Sequence, residues 1–208
     1  MIGSTARPIA CILAISAFVA CASNQQYESS SAAGTVDLSA YPNPPLDTAE
    51  LQLLRGMSDA DILGHFITVD SMEVATADTA LRLSKNDDVI TYARLMKATH
   101  SANLRQDKAI AEQAGITPIR AFGGIRASHV AASLDSLTAV SDMRLDRYYI
   151  MSQVELHQHV LAELETLQGA AKNDAVREHV ATMIPVVRDH LARAHAIAVA
   201  RGYEKKRA

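Results

Sequence analysis

Tryptophan is missing from this 208-residue chain, and aromatic residues make up only 4% of it. Pleated sheets favour β-branched and aromatic side chains, so an all-β domain is excluded. Glycine, at 9 residues, and proline, at 6, are too scarce for a collagen-like or low-complexity chain. There is no surplus of positive charge. Lys and Arg total 20 against 23 Asp and Glu, a formal net charge of −3. A nucleic-acid partner gripped through a basic surface is therefore not expected. Cysteine is confined to Cys11 and Cys21, near the start, so the remainder holds neither a disulfide nor a thiolate metal site. No nucleotide loop, nucleophile elbow, Ser-His-Asp order or HExxH motif occurs. Alanine, in contrast, is abundant, at 36 residues. It is the best helix former, and an all-α protein is the expectation.

The N-terminus reads as an address. Residues 9–20 are apolar apart from Ser16, and one positive charge, Arg7, precedes them. Such a run is too short to span a bilayer but fits a secretory signal. It ends in Phe18-Val19-Ala20-Cys21, which resembles the lipobox of bacterial lipoproteins, with Phe18 where Leu is usual. That resemblance implies a signal peptide over residues 1–20 and lipidation of Cys21. Plain export after cleavage behind Ala22, or an uncleaved anchor, stays open. The expected location is the bacterial cell envelope, as an outer-membrane lipoprotein facing the periplasm, with the membrane as partner through the N-terminal lipid. Residues 21–57 carry Ser29-Ser30-Ser31, Pro42, Pro44 and Pro45 and little apolar periodicity. They read as a flexible tether, which as random chain reaches roughly 30–35 Å.

Residues 58–208 have the length of one domain. Four long helical patterns follow one another. The first starts at Ser58-Asp59-Ala60-Asp61 and runs to about Ser84, with an apolar face of Ile62, Phe66, Val69, Ala77 and Ala80. The second is capped by Asn86 and stopped by Gly115, with Pro118 beyond it. The third covers about residues 142–169, and the fourth opens at Asn173-Asp174. The first two are joined by one or two residues and the last two by about four, so each pair must be an antiparallel hairpin. Residues 115–141 lie between the hairpins, with Gly123-Gly124 in a loop and a short helix near 130–139. One long crossover between two hairpins is the ferritin-like four-helix arrangement, and a plain up-and-down bundle is the alternative.

Each of the four apolar faces contains one misplaced polar residue: Glu73, His100, His157 and His190. All four fall within about 4.5 Å, along the axis, of the middle of their helices. In a bundle of hairpins the midpoints share a layer, so these side chains should meet in the core. An ionised Glu cannot stand alone there, because its desolvation costs several kcal/mol. The plainer expectation is a closed hydrogen-bond network in which Glu73 accepts from one or two histidines. The other is a site for one transition-metal ion, Zn, Cu or Fe, on one carboxylate and three imidazoles. Ferritin-type di-iron chemistry is disfavoured. It needs a Glu three residues before each of two histidines, and this chain has Lys97, Val154 and Val187 before its three.

Asp146 and Tyr149, one helical turn apart, form a second polar cluster. The bland reading is a buried hydroxyl and a carboxylate that ties down the crossover. Pro185 should kink the fourth helix just before His190. His65, His129, His159, His179 and His195 fall off the apolar stripes and are expected at the surface.

Ser71-Met72-Glu73, Thr99-His100, Asp146-Arg147-Tyr148-Tyr149 with His157, and Ile184-Pro185 with His190 together resemble one bacterial family. It is the family of unknown function numbered 4142, of predicted envelope proteins with a ferritin-like bundle. The resemblance covers about residues 58–201, and Met143 and Leu145 depart mildly from its pattern. It implies the fold and an exported location but no reaction. Three functions follow in order: a non-catalytic envelope or stress-related binding module with an unknown protein or small-ligand partner, a metal-binding or metal-buffering protein, and a redox enzyme.

Overall fold

The computed structural model describes residues 45–119 and 143–203. Among them are five α-helices and no strand: α1 (Thr48–Arg55), α2 (Asp59–Leu83), α3 (Asp87–Ala114), α4 (Met143–Ala170) and α5 (Asp174–Ala200). The all-α expectation holds. α2 and α3 begin and end, and α5 begins, within a residue of where their caps put them. Ser58 Oγ accepts from the Asp61 amide at 3.2 Å while the Asp61 carboxylate accepts from the Ser58 amide at 2.9 Å, a reciprocal capping box. Asn86 and Asn173 cap α3 and α5 in the same way, each accepting from amides of the first turn. Gly115 closes α3 at φ 64°, a left-handed conformation that glycine takes without a Cβ penalty. α5 runs unbroken through Pro185.

One stretch corrects the sequence reading. Residues 48–55, inside the expected tether, form α1, capped by Asp47 and packed against α4. Leu54 and Met57 are buried. Two helical turns are too short to display a period, and α1 turns Leu53 outward, which blurs what pattern there is. The expected signal peptide 1–20, expected lipidation site Cys21, expected tether up to residue 44, expected Gly123-Gly124 loop, expected short helix near 130–139 and His129 lie outside the described residues. No described helix is long and apolar enough to cross a membrane.

α2 pairs with α3 and α4 with α5, as two hairpins. α2 also touches α4, and α3 touches α5. One end of the domain gathers α1, the start of α2, the end of α3, the end of α4 and the start of α5 around Leu63, Phe66, Leu164 and Val180. There the amides of Lys172 and Asn173, in the second hairpin's turn, donate to Asp59 at the start of α2, at 2.9 and 3.0 Å. The opposite end gathers the other halves of the long helices around Ala80, Met96, Ile150 and Ala194. Ser84 Oγ donates to Asp146 Oδ1 there at 2.6 Å, and Arg201 Nε to Asp88 at 3.0 Å. α3 thus finishes at the end where α2 begins, and α4 starts at the opposite end.

Beyond Gly115 the chain folds back over α2. The Ile119 amide donates to the Ala60 carbonyl at 2.9 Å. A Cβ on Gly64 would lie 2.0 Å from the Ile119 carbonyl oxygen, so only glycine admits this approach.

Candidate metal centre

The two apolar ends are separated by a layer of buried polar residues at mid-helix. α2 contributes Asp70 and Glu73, α3 His100, α4 Gln153 and His157, and α5 His190, while Asp107 and His179 lie nearer the end around Phe66 and Val180, all 6% exposed or less. Each sits on a face its helix must bury to pair with its neighbours, so the fold holds them inward at the cost of desolvation.

The three histidines expected to meet do so. The ring centroids of His100, His157 and His190 lie 5.4 to 6.1 Å apart, and one nitrogen from each falls within 4.8 Å of the others. The fourth predicted member, Glu73, lines the same cavity but belongs to no such cluster. Its Oε1 accepts from Gln153 Nε2 at 3.3 Å rather than from a histidine. Its Oε2 is buried and has no hydrogen-bond partner among the described residues.

The outer nitrogens of two rings are already occupied. His157 Nδ1 lies 2.9 Å from the Gln153 carbonyl, which can only accept, so the proton sits on Nδ1 and Nε2 keeps its lone pair. His100 Nδ1 lies 2.5 Å from Asp70 Oδ1. Donation to that carboxyl leaves His100 Nε2 as a bare lone pair, and this atom is buried with no partner among the described residues, as is His190 Nδ1.

Burial favours the neutral form of all three rings. It pushes His157 down to about 3, with the neighbouring His100 adding to the fall. It lowers His190 well below the ordinary imidazole value, with His157 and His100 acting the same way. His100 is lowered too, although the charges of Glu73 and Asp107 pull against that. Burial also raises the Glu73 carboxyl. Three neutral imidazoles facing one another, with His100 Nε2 and His190 Nδ1 unpaired among the described residues, are a ligand set already in its metal-binding protonation state. The cavity they line with Glu73 and His65 is about 30 Å³, room for about two waters or one coordinated ion.

Behind His100 the polar chain continues. Burial and the charge of Asp107 hold the Asp70 carboxyl well above its usual range. His179 Nε2 lies 2.8 Å from Asp107 Oδ1. His100 with Asp70, and His179 with Asp107, are thus two buried His–carboxyl pairs carried by α2, α3 and α5. Asp70, Asp107 and His179 escaped the sequence reading. Their signal was present: Asp70 stands three residues before Glu73, and Asp107 seven after His100, both helical spacings on the same face.

Three of the remaining histidines correct the expectation of surface positions. His65, His179 and His195 are buried, and His159 is half-buried. An off-stripe position is exposed only if the helix is covered on one side. α2 near His65 is buried nearly all round, from Ile62 to Ile67, and α5 buries adjacent pairs such as His190 with Leu191 and Ala194 with His195. At the other polar cluster, Asp146 accepts from Ser84, so it ties α4 to the end of α2. Tyr149 is fully buried, its ring set edge-on to Tyr92 at 6.2 Å, and its hydroxyl has no partner among the described residues.

A family model described as a domain of unknown function, DUF4142, matches residues 44–197. No curated protein and no solved structure matches the chain.

Proposed function

The chain belongs to the DUF4142 family, whose function is unknown, and from its own core we propose that it is a non-catalytic protein that binds one transition-metal ion at His100, His157 and His190. The meeting of three buried neutral imidazoles, two with their outer nitrogen already held by an acceptor, carries this reading. A metal-bound histidine characteristically gives its other N–H to a carboxylate or a carbonyl, which fixes the ring and makes it a better ligand. Asp70 and the Gln153 carbonyl fill that part. Leaving these imidazole nitrogens unpaired in the core costs about 1–3 kcal/mol each, which an ion recovers. Glu73 stands beside the three rings as the oxygen donor for a fourth position. Such a set suits Zn²⁺ or Cu²⁺ first, and Fe²⁺ after them.

The surrounding architecture is proposed to be a ferritin-like four-helix bundle. Two hairpins, with α3 ending at one end of the domain and α4 starting at the other, support the long crossover that defines it. The location is proposed to be the cell envelope, with the domain held by a lipid on Cys21. Phe18-Val19-Ala20-Cys21 supports that, and the intact mass of the native protein tests it. A mature chain that begins at Ser23 without acyl groups ends the lipoprotein reading.

The metal reading is tested by calorimetric titration of chelator-treated protein with Zn²⁺ and then Cu²⁺. One bound equivalent should disappear in both His100→Ala and His157→Ala. Saturation at about a hundred times Kd should stabilise the wild type by about 2.7 kcal/mol and leave these variants unchanged in that respect. Retention of the full stoichiometry by both variants overturns the reading. So does loss of stability in metal-free His100→Ala together with the absence of any bound metal in the wild type, which is the outcome for a hydrogen-bond network.

A further inference from the structure

We propose, resting on the metal site above, that an ion held by His100, His157 and His190 keeps one position turned toward an apolar cavity and binds there a neutral diatomic molecule of the carbon monoxide or nitric oxide kind. The cavity lies on one side of the three rings. Its apolar wall comes from Phe66 and Val69 on α2, Val160 on α4, and Met183 and Val187 on α5. Val69 stands four residues before Glu73, Val160 three after His157, and Val187 three before His190, about one helical turn in each case. α2 and α5 begin at the end of the domain where α4 finishes. All these displacements therefore run the same way, toward the core around Phe66 and Leu164. On the other side of the rings stand Tyr92 and Gln153, tied to the His190 carbonyl and to Glu73 at 3.3 Å each.

Size and polarity choose the ligand. The cavity, about 30 Å³, is far below the roughly 300–1,000 Å³ of sites for organic ligands. A bare ion is smaller than a water, so an ion carrying a two-atom ligand takes the room of about two waters. The polar groups beside the wall are engaged elsewhere. Asp70 pairs with His100 at 2.5 Å, Asn103 with the same Asp70, and His65 with Glu163 at 3.5 Å. A bound water needs about two to four polar partners, which the wall does not supply. An anion would shed its hydration beside the Glu73 carboxyl. A neutral diatomic meets neither cost. Copper(I) displays this best, because three imidazoles suit copper whereas carboxylates suit harder ions. Glu73 lies outside the cluster of ring nitrogens, its Oε1 held by Gln153, and so leaves the position clear. Binding is a simple addition. The diatomic's lone pair forms one bond to copper, no bond breaks, and the metal keeps its oxidation state.

The test loads full-length, chelator-treated protein with copper(I) in the absence of oxygen and counts the bound copper by competition with a coloured chelator. Carbon monoxide is then added. One CO per copper and a single narrow C–O stretching band in the infrared are expected. tert-Butyl isocyanide, a neutral carbon donor too bulky for the cavity, should fail to displace CO at equal concentration. Val160→Phe fills the cavity from a half-buried position on α4. It should keep the copper and weaken CO binding by about tenfold or more. Copper bound without CO overturns the proposal and leaves the metal site standing. So does isocyanide binding as tight as that of CO, or unchanged CO affinity in a copper-loaded Val160→Phe variant. Absence of bound copper ends the metal reading and this proposal together. If Val160→Phe does not fold, the choice of the wild type between CO and the isocyanide decides alone.

Discussion

At the scale of single residues, His157 sets the behaviour of the core in acid. Its ring, pushed down to about 3, refuses a proton that the unfolded chain accepts near 6.5. Between these values the unfolded state binds more protons, so stability rises with pH and is lost as pH falls below about 6.5. His100 and His190 are shifted in the same direction. The raised carboxyls of Asp70 and Glu73 act oppositely: their contribution is complete below the unfolded carboxyl values and is lost as pH rises from there through the higher folded ones. The His157 ring alone costs about 2 kcal/mol at pH 5, and metal-free protein should melt lower at pH 5 than at pH 7.5. A flat melting profile over that interval contradicts the neutral assignment. Asp70→Asn tests the partner behind His100. It should weaken the bound metal equivalent about 10–100-fold while the three ligands remain, read by competition with a chelator. The three converging histidines were legible because each interrupts an apolar stripe. Asp70 and His179 were not, since each adjoins an apolar residue, Val69 and Val180, that carried the stripe in its place. Helix packing on several sides, which no single stripe encodes, is what buries them.

At the scale of elements, capping chemistry made the long helices readable. Ser58, Asn86, Gly115 and Asn173 each leave a local mark in sequence that needs no tertiary contact. α1 carries the Asp47 cap but is too short to show a period, and it is seated by Leu54 against the core and by Glu50 meeting His159 across 109 positions of sequence. Gly64 was equally silent. Inside a helix it looks like a mere weakness, and its purpose is to admit the backbone at Ile119. Gly64→Ala should therefore destabilise the protein by about 1–3 kcal/mol through overpacking, despite alanine's better helix propensity. Chemical denaturation measures this, and an unchanged or higher midpoint would show that the segment after α3 is not seated there.

At the scale of the whole molecule, connector length was enough to pair α2 with α3 and α4 with α5, since one to four residues permit nothing but a hairpin. The mid-helix layer was legible for the same reason: hairpin symmetry brings helix centres to one level. That layer has a mechanical meaning. It splits the apolar core into two halves, one around Phe66 and Leu164 and one around Met96 and Ile150, with no continuous greasy column between them. Cooperativity in a small domain depends on such continuity, and an interrupted core lets the two halves open with different free energies even along helices that run through both. Metal-free protein should then behave as two foldons. Native-state hydrogen exchange in low denaturant would resolve amides near Phe66 from those near Met96 by distinct opening free energies. An ion held between α3, α4 and α5 ties both halves to one layer. Saturating Zn²⁺ should bring the two sets of amides onto a single isotherm, so that the protein unfolds as one body only when it is loaded.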